Sequence, residues 1–203
     1  GKYVEDEEKW DLAETALRTA LDASGVEYFE ASDEAAFYGP KADVMARDVL
    51  GREWQLSTIQ VDFIQPARLG LIYIGNDGQE HVPVVIHRAV TGSTERFLGV
   101  LIEHFAGAFP VWLAPVQAIL IPIADRHLEY AAQVAEELKA AGLRVEVNSR
   151  NERMNAKIRD AQKQKIPYML VVGDREEEQA KVALRLRSGE NIGPILVKEF
   201  LER

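Results

Sequence analysis

The chain has 203 residues and no cysteine, with 47% hydrophobic and 28% charged side chains and a formal net charge of −9. Zero Cys excludes disulfides and any thiolate-bound zinc, and no apolar run reaches the roughly 18–20 residues of a membrane span. The opening GKYVEDEEKW lacks Met and is acidic rather than apolar, unlike a signal peptide, so the expectation is a cytosolic fragment of a longer protein.

In chain order, Asp6 to Ala23 predicts a helix, with Trp10, Ala13, Leu17, Ala20 and Leu21 on one stripe and Gly25 past its end. Val26 to Glu30 reads as a strand. Two alternating runs follow, Ala42 to Arg47 and Glu53 to Phe63, joined around Gly51. Leu69 to Ile74 and His81 to His87 flank Asn76-Asp77-Gly78, a hairpin signal. From Ser93 to about Phe105 a helix is expected to bury Phe97, Leu98, Leu101, Ile102 and Phe105. Strands joined by short turns imply an antiparallel sheet.

The pattern changes after the Pro- and aromatic-rich Gly107 to Pro115. Ala118 to Ile123 is an apolar strand, Arg126 to Ala141 a helix stopped at Gly142, and Leu143 to Val147 a strand. Glu152 to Lys165 reads as a helix, Tyr168 to Gly173 and Lys181 to Arg187 as strands, and Pro194 to Glu202 as a closing helix. This order implies a largely parallel mixed sheet covered by helices, and a domain boundary near Pro115. Charge follows the same division: residues 1–117 carry 9 basic and 19 acidic groups, and residues 118–203 carry 15 and 14. Arg150 to Lys165 alone holds six basic and two acidic side chains, which on charge alone is more often a solvated helix face than a polyanion site.

Several residues have the chemistry of a site. Gly92-Ser93 offers free backbone N–H groups at a helix start, and Arg96 in the first turn opposes the helix dipole. That arginine suits a phosphate, an ion pair or solvent. His87 ends an apolar strand and shares parity with His81, yet no His-x3-His or His-Glu pattern makes a self-contained zinc site. Gln60 and Asp62 put polar groups on one face of an apolar strand and need partners, from a ligand or an internal network. A Gly-Pro turn places Tyr38 near Lys41. No Walker loop, nucleophile elbow or Gly-x-Gly-x-x-Gly run is present.

Together, Ala36-Phe37-Tyr38-Gly39-Pro40-Lys41, Gln60-Val61-Asp62-Phe63 and the block from Ile86-His87-Arg88-Ala89 to Gly92-Ser93-Thr94-Glu95-Arg96-Phe97 resemble the threonyl-tRNA synthetase family. The likeness continues through Phe105 to Gln117, Arg150-Asn151-Glu152, Lys165 to Asp174 and Val182 to Arg185, in the family's order. It implies the rear part of a class II catalytic core, an α+β antiparallel sheet, over residues 1–115, followed by an α/β mixed-sheet anticodon-binding domain over residues 116–203.

On that resemblance Gly92 to Phe97 is the third class-defining motif, with Gly92 and Arg96 on the ATP triphosphate, where Arg96 neutralises charge during adenylation. Lys41 lies near the reacting carboxylate and phosphate, and Gln55 near the ribose. Tyr38, Gln60, Asp62 and Ser93 serve threonine, and His87 is one zinc ligand. Asn151, Glu176 and Arg185 read unstacked anticodon bases. ATP with Mg, zinc, threonine and threonine tRNA are the implied cofactors and partners, and the parent enzyme is a homodimer.

The chain departs from the family pattern in lacking the editing region, the first two class motifs and the motif 2 arginine. It also lacks the Cys and His that complete the zinc set. The expectations are therefore no zinc at His87 and no threonine activation by this chain alone. A non-catalytic RNA-binding or regulatory module is an alternative. So is another class II synthetase such as the prolyl enzyme, against which the wording of Phe37 to Lys41 and Ile86 to Ala89 stands. A flavodoxin-like nucleotide domain fits the order of residues 118–203 but lacks a phosphate loop.

Overall fold

α1 (Glu7–Ser24) opens the computed structural model, which describes residues 6–202. Asp6 fixes its start by accepting from the Lys9 amide at 3.2 Å, and Glu7 and Glu8 complement the dipole in the first turn. Gly25 ends it, left-handed at φ +68°, with its N–H on the Asp22 carbonyl. Ala13 is the one residue of the predicted stripe that is fully buried. It joins Phe63 and Ile64 in a small core, where Trp10 meets Phe63 edge-on at 5.7 Å.

The strand expected at 26–30 is not formed. That segment is irregular and exposes Val26 and Phe29, since no described strand lies alongside to complete a ladder. Side chains tether it instead: Tyr28 donates to Asp22 at 2.9 Å, and Glu30 accepts from Arg18 at 2.9 Å.

β1 (Lys41–Arg47) and β2 (Glu53–Asp62) form the expected antiparallel hairpin. Its turn closes on Asp48, whose carboxylate accepts from the Leu50 and Arg52 amides and from Trp54 Nε1, each at 2.9 Å. After a short α2 (Gln65–Arg68), β3 (Tyr73–Ile74) and β4 (Glu80–His81) pair across the predicted Asn76-Asp77-Gly78 turn. The run to His87 then breaks at Pro83, which has no N–H for a ladder. β5 (Val85–Ala89) pairs with β2 instead, giving a sheet of order β1-β2-β5. His81, bonded to Asp77 at 2.9 Å, therefore shares no strand face with His87. α3 (Thr94–Phe105) forms as expected, but no residue on it is fully buried, and Leu98 and Ile102 stand 48% and 46% exposed.

Packing divides the chain into two compact units at Leu101/Ile102. In the second, residues 106–116 are held by hydrogen bonds to the sheet domain. Gln117 Nε2 donates to the Val111 carbonyl at 3.0 Å, and Arg144 donates to the Trp112 and Ala114 carbonyls at 2.8 and 3.0 Å.

Next come β6 (Ala118–Pro122), a 3₁₀ turn at Asp125–His127, α4 (Leu128–Ala140) and β7 (Val145–Val147). They are followed by α5 (Met154–Lys163), β8 (Tyr168–Val172), α6 (Asp174–Glu178) and β9 (Lys181–Leu186). β10 (Asn191–Leu196) and α7 (Val197–Leu201) close the unit. The sheet order is β10-β9-β8-β6-β7, with β6, β7 and β8 parallel and the other two pairings antiparallel.

β6 reads apolar throughout because both its faces are covered. Leu120 joins Leu138, Leu170, Leu184 and Phe200 on one face, while Ile119 and Ile121 join Ile158 and Met169 on the other. Two elements depart from expectation. Residues 191–196 extend along β9, and only Val197–Leu201 is helical, because Ile192 and Ile195 reach the core as strand residues. The acidic α6 is too short for periodicity to show. Among the described residues no helix is long and apolar enough to cross a membrane.

Candidate functional site

One face of the three-stranded sheet in the first unit carries a cluster of polar side chains. Lys41 lies opposite Gln60 and Gln60 opposite His87, so the three form one cross-strand row. Asp43 lies opposite Thr58 in the next row. A register shift leaves Leu56 as an extra residue in β2, between Gln55 opposite Met45 and Ser57 opposite Val44. Such a bulge changes which face later residues meet. It turns Gln55 toward the same polar row, where its amide donates to Thr58 Oγ1 at 3.2 Å.

The candidates for the amino-acid pocket come together. The Tyr38 hydroxyl donates to Gln60 Oε1, and the Tyr38 ring tilts against His87 at 5.7 Å. His87 Nε2 meets Asp62 Oδ2 at 2.8 Å, and Asp62 Oδ1 accepts from the Ile64 and Gln65 amides at 3.0 and 2.9 Å. Asp62 is fully buried. Burial raises its pKa, but His87 and the two amides outweigh this and hold the carboxyl below its usual range. Gly39 sits over this strand so closely that a Cβ there would lie 1.8 Å from the Val61 carbonyl oxygen.

Lys41 is ion-paired with Asp43, which also accepts from Thr58 Oγ1 at 2.6 Å. Burial pushes the Asp43 carboxyl up, while Lys41 and Thr58 pull it below its usual range. Asp43 was absent from the sequence-based candidates, although its spacing two residues after Lys41 on one strand face was a usable signal.

The candidates for the nucleotide converge on the start of α3. Gly92 is left-handed at φ +64°, and a Cβ there would lie 2.2 Å from the Leu56 carbonyl oxygen. Ser93 caps the helix by accepting from the Arg96 amide at 3.3 Å, and its hydroxyl donates to Glu95 at 3.0 Å. The Arg96 guanidinium folds onto the Gln55 carbonyl at 2.6 Å, beside the bulge. Arg96 and Gln55, 41 residues apart in sequence, are thus neighbours. Arg88, exposed, donates through Nη1 to the Ser57 hydroxyl and to the Ala89 carbonyl, the latter at 2.6 Å.

These residues do not by themselves fit a metal centre. His87 supplies one imidazole, already engaged by Asp62, and among the described residues no three His, Cys, Asp or Glu side chains converge on a metal position.

In the second unit Asn151 lies on the loop leaving β7, and Glu176 on α6 just after β8. Because β6, β7 and β8 are parallel, both occupy the C-terminal edge of the sheet. Asn151 is exposed, and Glu176 accepts from the Gly173 amide at 3.1 Å. Arg185 lies opposite Met169, near the beginning of β8 and on the α5 side of the sheet. Shared strand ends join the first two, while Arg185 stands further along the face. Of the basic run at 150–165, Lys157 is buried and donates to the Pro122 and Asn148 carbonyls at 3.0 and 3.3 Å. Arg150 pairs with Asp160 at 2.8 Å, and Arg153, Arg159, Lys163 and Lys165 remain exposed.

An antiparallel sheet carrying a polar cross-strand row beside a Gly-Ser helix start, followed by a helix-covered mixed sheet, defines a class II synthetase core segment with an anticodon-binding domain. Comparison with known families agrees. The tRNA synthetase class II core domain (G, H, P, S and T) matches residues 3–105, and the anticodon binding domain matches residues 117–203. The chain belongs to this class II tRNA synthetase family.

Among curated relatives, the threonine–tRNA ligase of Rubrobacter xylanophilus is 65% identical over all of this chain and 32% of its own length. That of Thermus thermophilus is 55% identical over 99% of this chain and 30% of its own. The chain thus spans about a third of the length of the curated relatives it matches. Among solved structures, the RNA binding domain of threonyl-tRNA synthetase from Cryptosporidium parvum is similar with TM-score 0.88 and 38% identity, covering 99% of this chain and 51% of that one. Prolyl-tRNA synthetase from the same organism shares the fold at TM-score 0.65 and 22% identity, covering 97% of this chain and 43% of that one.

Proposed function

We propose that this chain supplies the threonine- and ATP-facing strands of a threonine–tRNA ligase, together with the domain that reads the anticodon of its tRNA. The observation that carries the first half is the Lys41–Gln60–His87 row, with Tyr38 and Asp62 beside it and Arg96 beside Gln55. Tyr38 and Gln60 offer a phenol and an amide to the amino and hydroxyl groups of threonine, while buried Asp62 supports the pocket by orienting His87. Lys41 is held by Asp43 at the far end of the row, where a carboxylate attacks the α-phosphate. Arg96 exchanges the Gln55 carbonyl for a phosphate and neutralises charge as pyrophosphate leaves, which is catalysis by positioning and electrostatics. Gly92 and Ser93 leave backbone N–H groups free toward the same anion.

ATP brings Mg with it. Zinc needs further ligands, and His87 is the group of this chain that would join them. In this reading the chain binds no zinc by itself: a calorimetric titration giving stoichiometric zinc uptake, lost in His87→Ala, overturns that. It also performs no threonine-dependent pyrophosphate exchange alone, and measurable exchange would overturn that part.

For the second half, Asn151, Glu176 and Arg185 contact unstacked anticodon bases, while Arg153, Arg159 and Lys163 meet the phosphate backbone. Filter binding at fixed salt tests this. The chain binds threonine tRNA at least several-fold more tightly than a tRNA with a different anticodon; equal affinity for the two refutes the reading.

A further inference from the structure

Below α6 lies a histidine that none of these roles uses. His127 ends the 3₁₀ turn after β6 and is 1% exposed. Its Nδ1 meets Glu177 Oε2 at 2.9 Å, and its Nε2 stands 3.4 Å from Asp174 Oδ1 without hydrogen-bond geometry. Arg126 next to it grips the same Asp174 through Nε and Nη2, both at 2.8 Å. Asp174 and Glu177 belong to α6, which also carries Glu176.

α6 needs such anchors. Its 5 residues, none of them buried, are far too few for an independent helix, so its position is set by what holds it. Beyond its chain connections to β8 and β9, it is gripped by the Arg126 and His127 side chains and by the close fit of Gly173. Gly173 is closely fitted, because a Cβ on it would lie 2.7 Å from Ile123 Cδ1 and 3.2 Å from Glu176 Oε2. Its amide fixes one oxygen of Glu176 and leaves the other to accept from the exocyclic amine of a base. Where that second oxygen points depends on the angle of α6, and hence on the groups beneath it.

We propose that His127 is a positioning residue for base recognition: the Nδ1–Glu177 bond, backed by Arg126–Asp174, seats α6 so that the Glu176 carboxylate faces an anticodon base. The proposal rests on the anticodon reading of this domain. His127 touches no nucleotide; it acts through α6. A ring whose sole task were filling the core would be replaceable by phenylalanine with no effect on base choice.

The test uses the 203-residue chain and two short anticodon stem–loops, that of threonine tRNA and the same hairpin with one anticodon base changed. The readout is the ratio of the two affinities at fixed salt. His127→Phe, which keeps the core filled, lowers this ratio by roughly 5- to 10-fold while the salt dependence of binding stays unchanged. His127→Asn, whose amide nitrogen takes the place of Nδ1, restores most of it. Glu177→Ala, a change at an exposed side chain that leaves the fold intact, lowers the ratio as His127→Phe does, and the double variant loses no more than either single one. An unchanged ratio in both His127→Phe and Glu177→Ala overturns the proposal while leaving the anticodon reading in place. If His127→Phe does not fold, the Glu177→Ala ratio alone decides. No discrimination by the unaltered chain overturns the anticodon reading, and this proposal with it.

Discussion

Asp62 satisfies two backbone amides and an imidazole from a position without solvent contact. Removing an acceptor that buried donors share costs more than the bond itself is worth, because the donors stay desolvated. Asp62→Ala is therefore expected to lower unfolding free energy by about 2–3 kcal/mol, whereas Asp62→Asn, which keeps one oxygen for the Ile64 and Gln65 amides, costs about half as much. Urea unfolding of the three proteins checks this, and a loss under about 0.5 kcal/mol in Asp62→Ala counts against it. The presence of an unexplained polar pair at Gln60 and Asp62 was legible in the sequence from strand parity. Their partners were not, since His87 lies 25 residues beyond Asp62 and is brought opposite Gln60 by strand pairing. Gln55 shows the other limit. Strict alternation puts it on the face opposite Gln60, and the bulge at Leu56, which no sequence pattern marks, reverses that.

At the scale of elements, the β1–β2 hairpin depends on one carboxylate. Burial pushes the Asp48 carboxyl up, but Trp54, Arg52 and the amides of Arg52 and Leu50 outweigh it and hold it well below the usual range. Asp62 is shifted the same way. A carboxyl with a folded-state pKa below its unfolded value of about 3.9 stabilises fully above that value, and the stabilisation is lost as pH falls toward the folded value. The contribution of these two carboxylates to the first unit should thus be constant from about pH 7 to 5 and be lost progressively below about pH 4. Asp48→Asn should be less stable at neutral pH and show a flatter acid limb. Acid titration followed by Trp fluorescence reports on this, since Trp54 donates to Asp48; parallel curves for the two proteins would rule it out.

The junction of β2 with α3 makes a second element-level case. Gly92→Ala forces a Cβ to within 2.2 Å of the Leu56 carbonyl at φ +64°, so the helix start must shift. A cost of about 2 kcal/mol or more is expected, together with weaker ATP binding on the proposed role of this segment, as the helix start that carries Ser93 and Arg96 is displaced. Equal stability and nucleotide affinity in the variant would contradict the close packing. Helix and strand identities here were largely legible from periodicity. Those that failed at 26–30 and 194–196 were decided by whether another strand lay alongside, which is a tertiary fact, and the run across Pro83 by the missing proline N–H.

Across the whole chain the two units are unequally supported. The second has two cores, one on each face of its sheet, while the core of the first consists of Ala13, Phe63 and Ile64 with a few half-buried neighbours. Among the described residues, 19 of the 23 large apolar side chains left exposed lie at or before Leu98. A fully buried side chain of this size contributes about 1.5–3 kcal/mol, so the difference amounts to many such contributions. Composition did not reveal this, because the apolar stripe of α3 reads as one destined for burial yet is only half covered, with Leu98 and Ile102 exposed. The first unit should therefore unfold at lower urea than the second, giving two transitions. In a Trp112→Phe background, which removes the tryptophan of the second unit, fluorescence of Trp10 and Trp54 follows the first, and loss of slow amide exchange follows the second. Amides of β6 and β8, shut in on both faces, should exchange slowest, at the global unfolding rate. Those of β3, β4 and residues 26–30 should exchange within the earliest time points. A single transition that coincides for Trp fluorescence and for exchange at Leu120 and Leu170 would mean that the first unit draws its stability from the second.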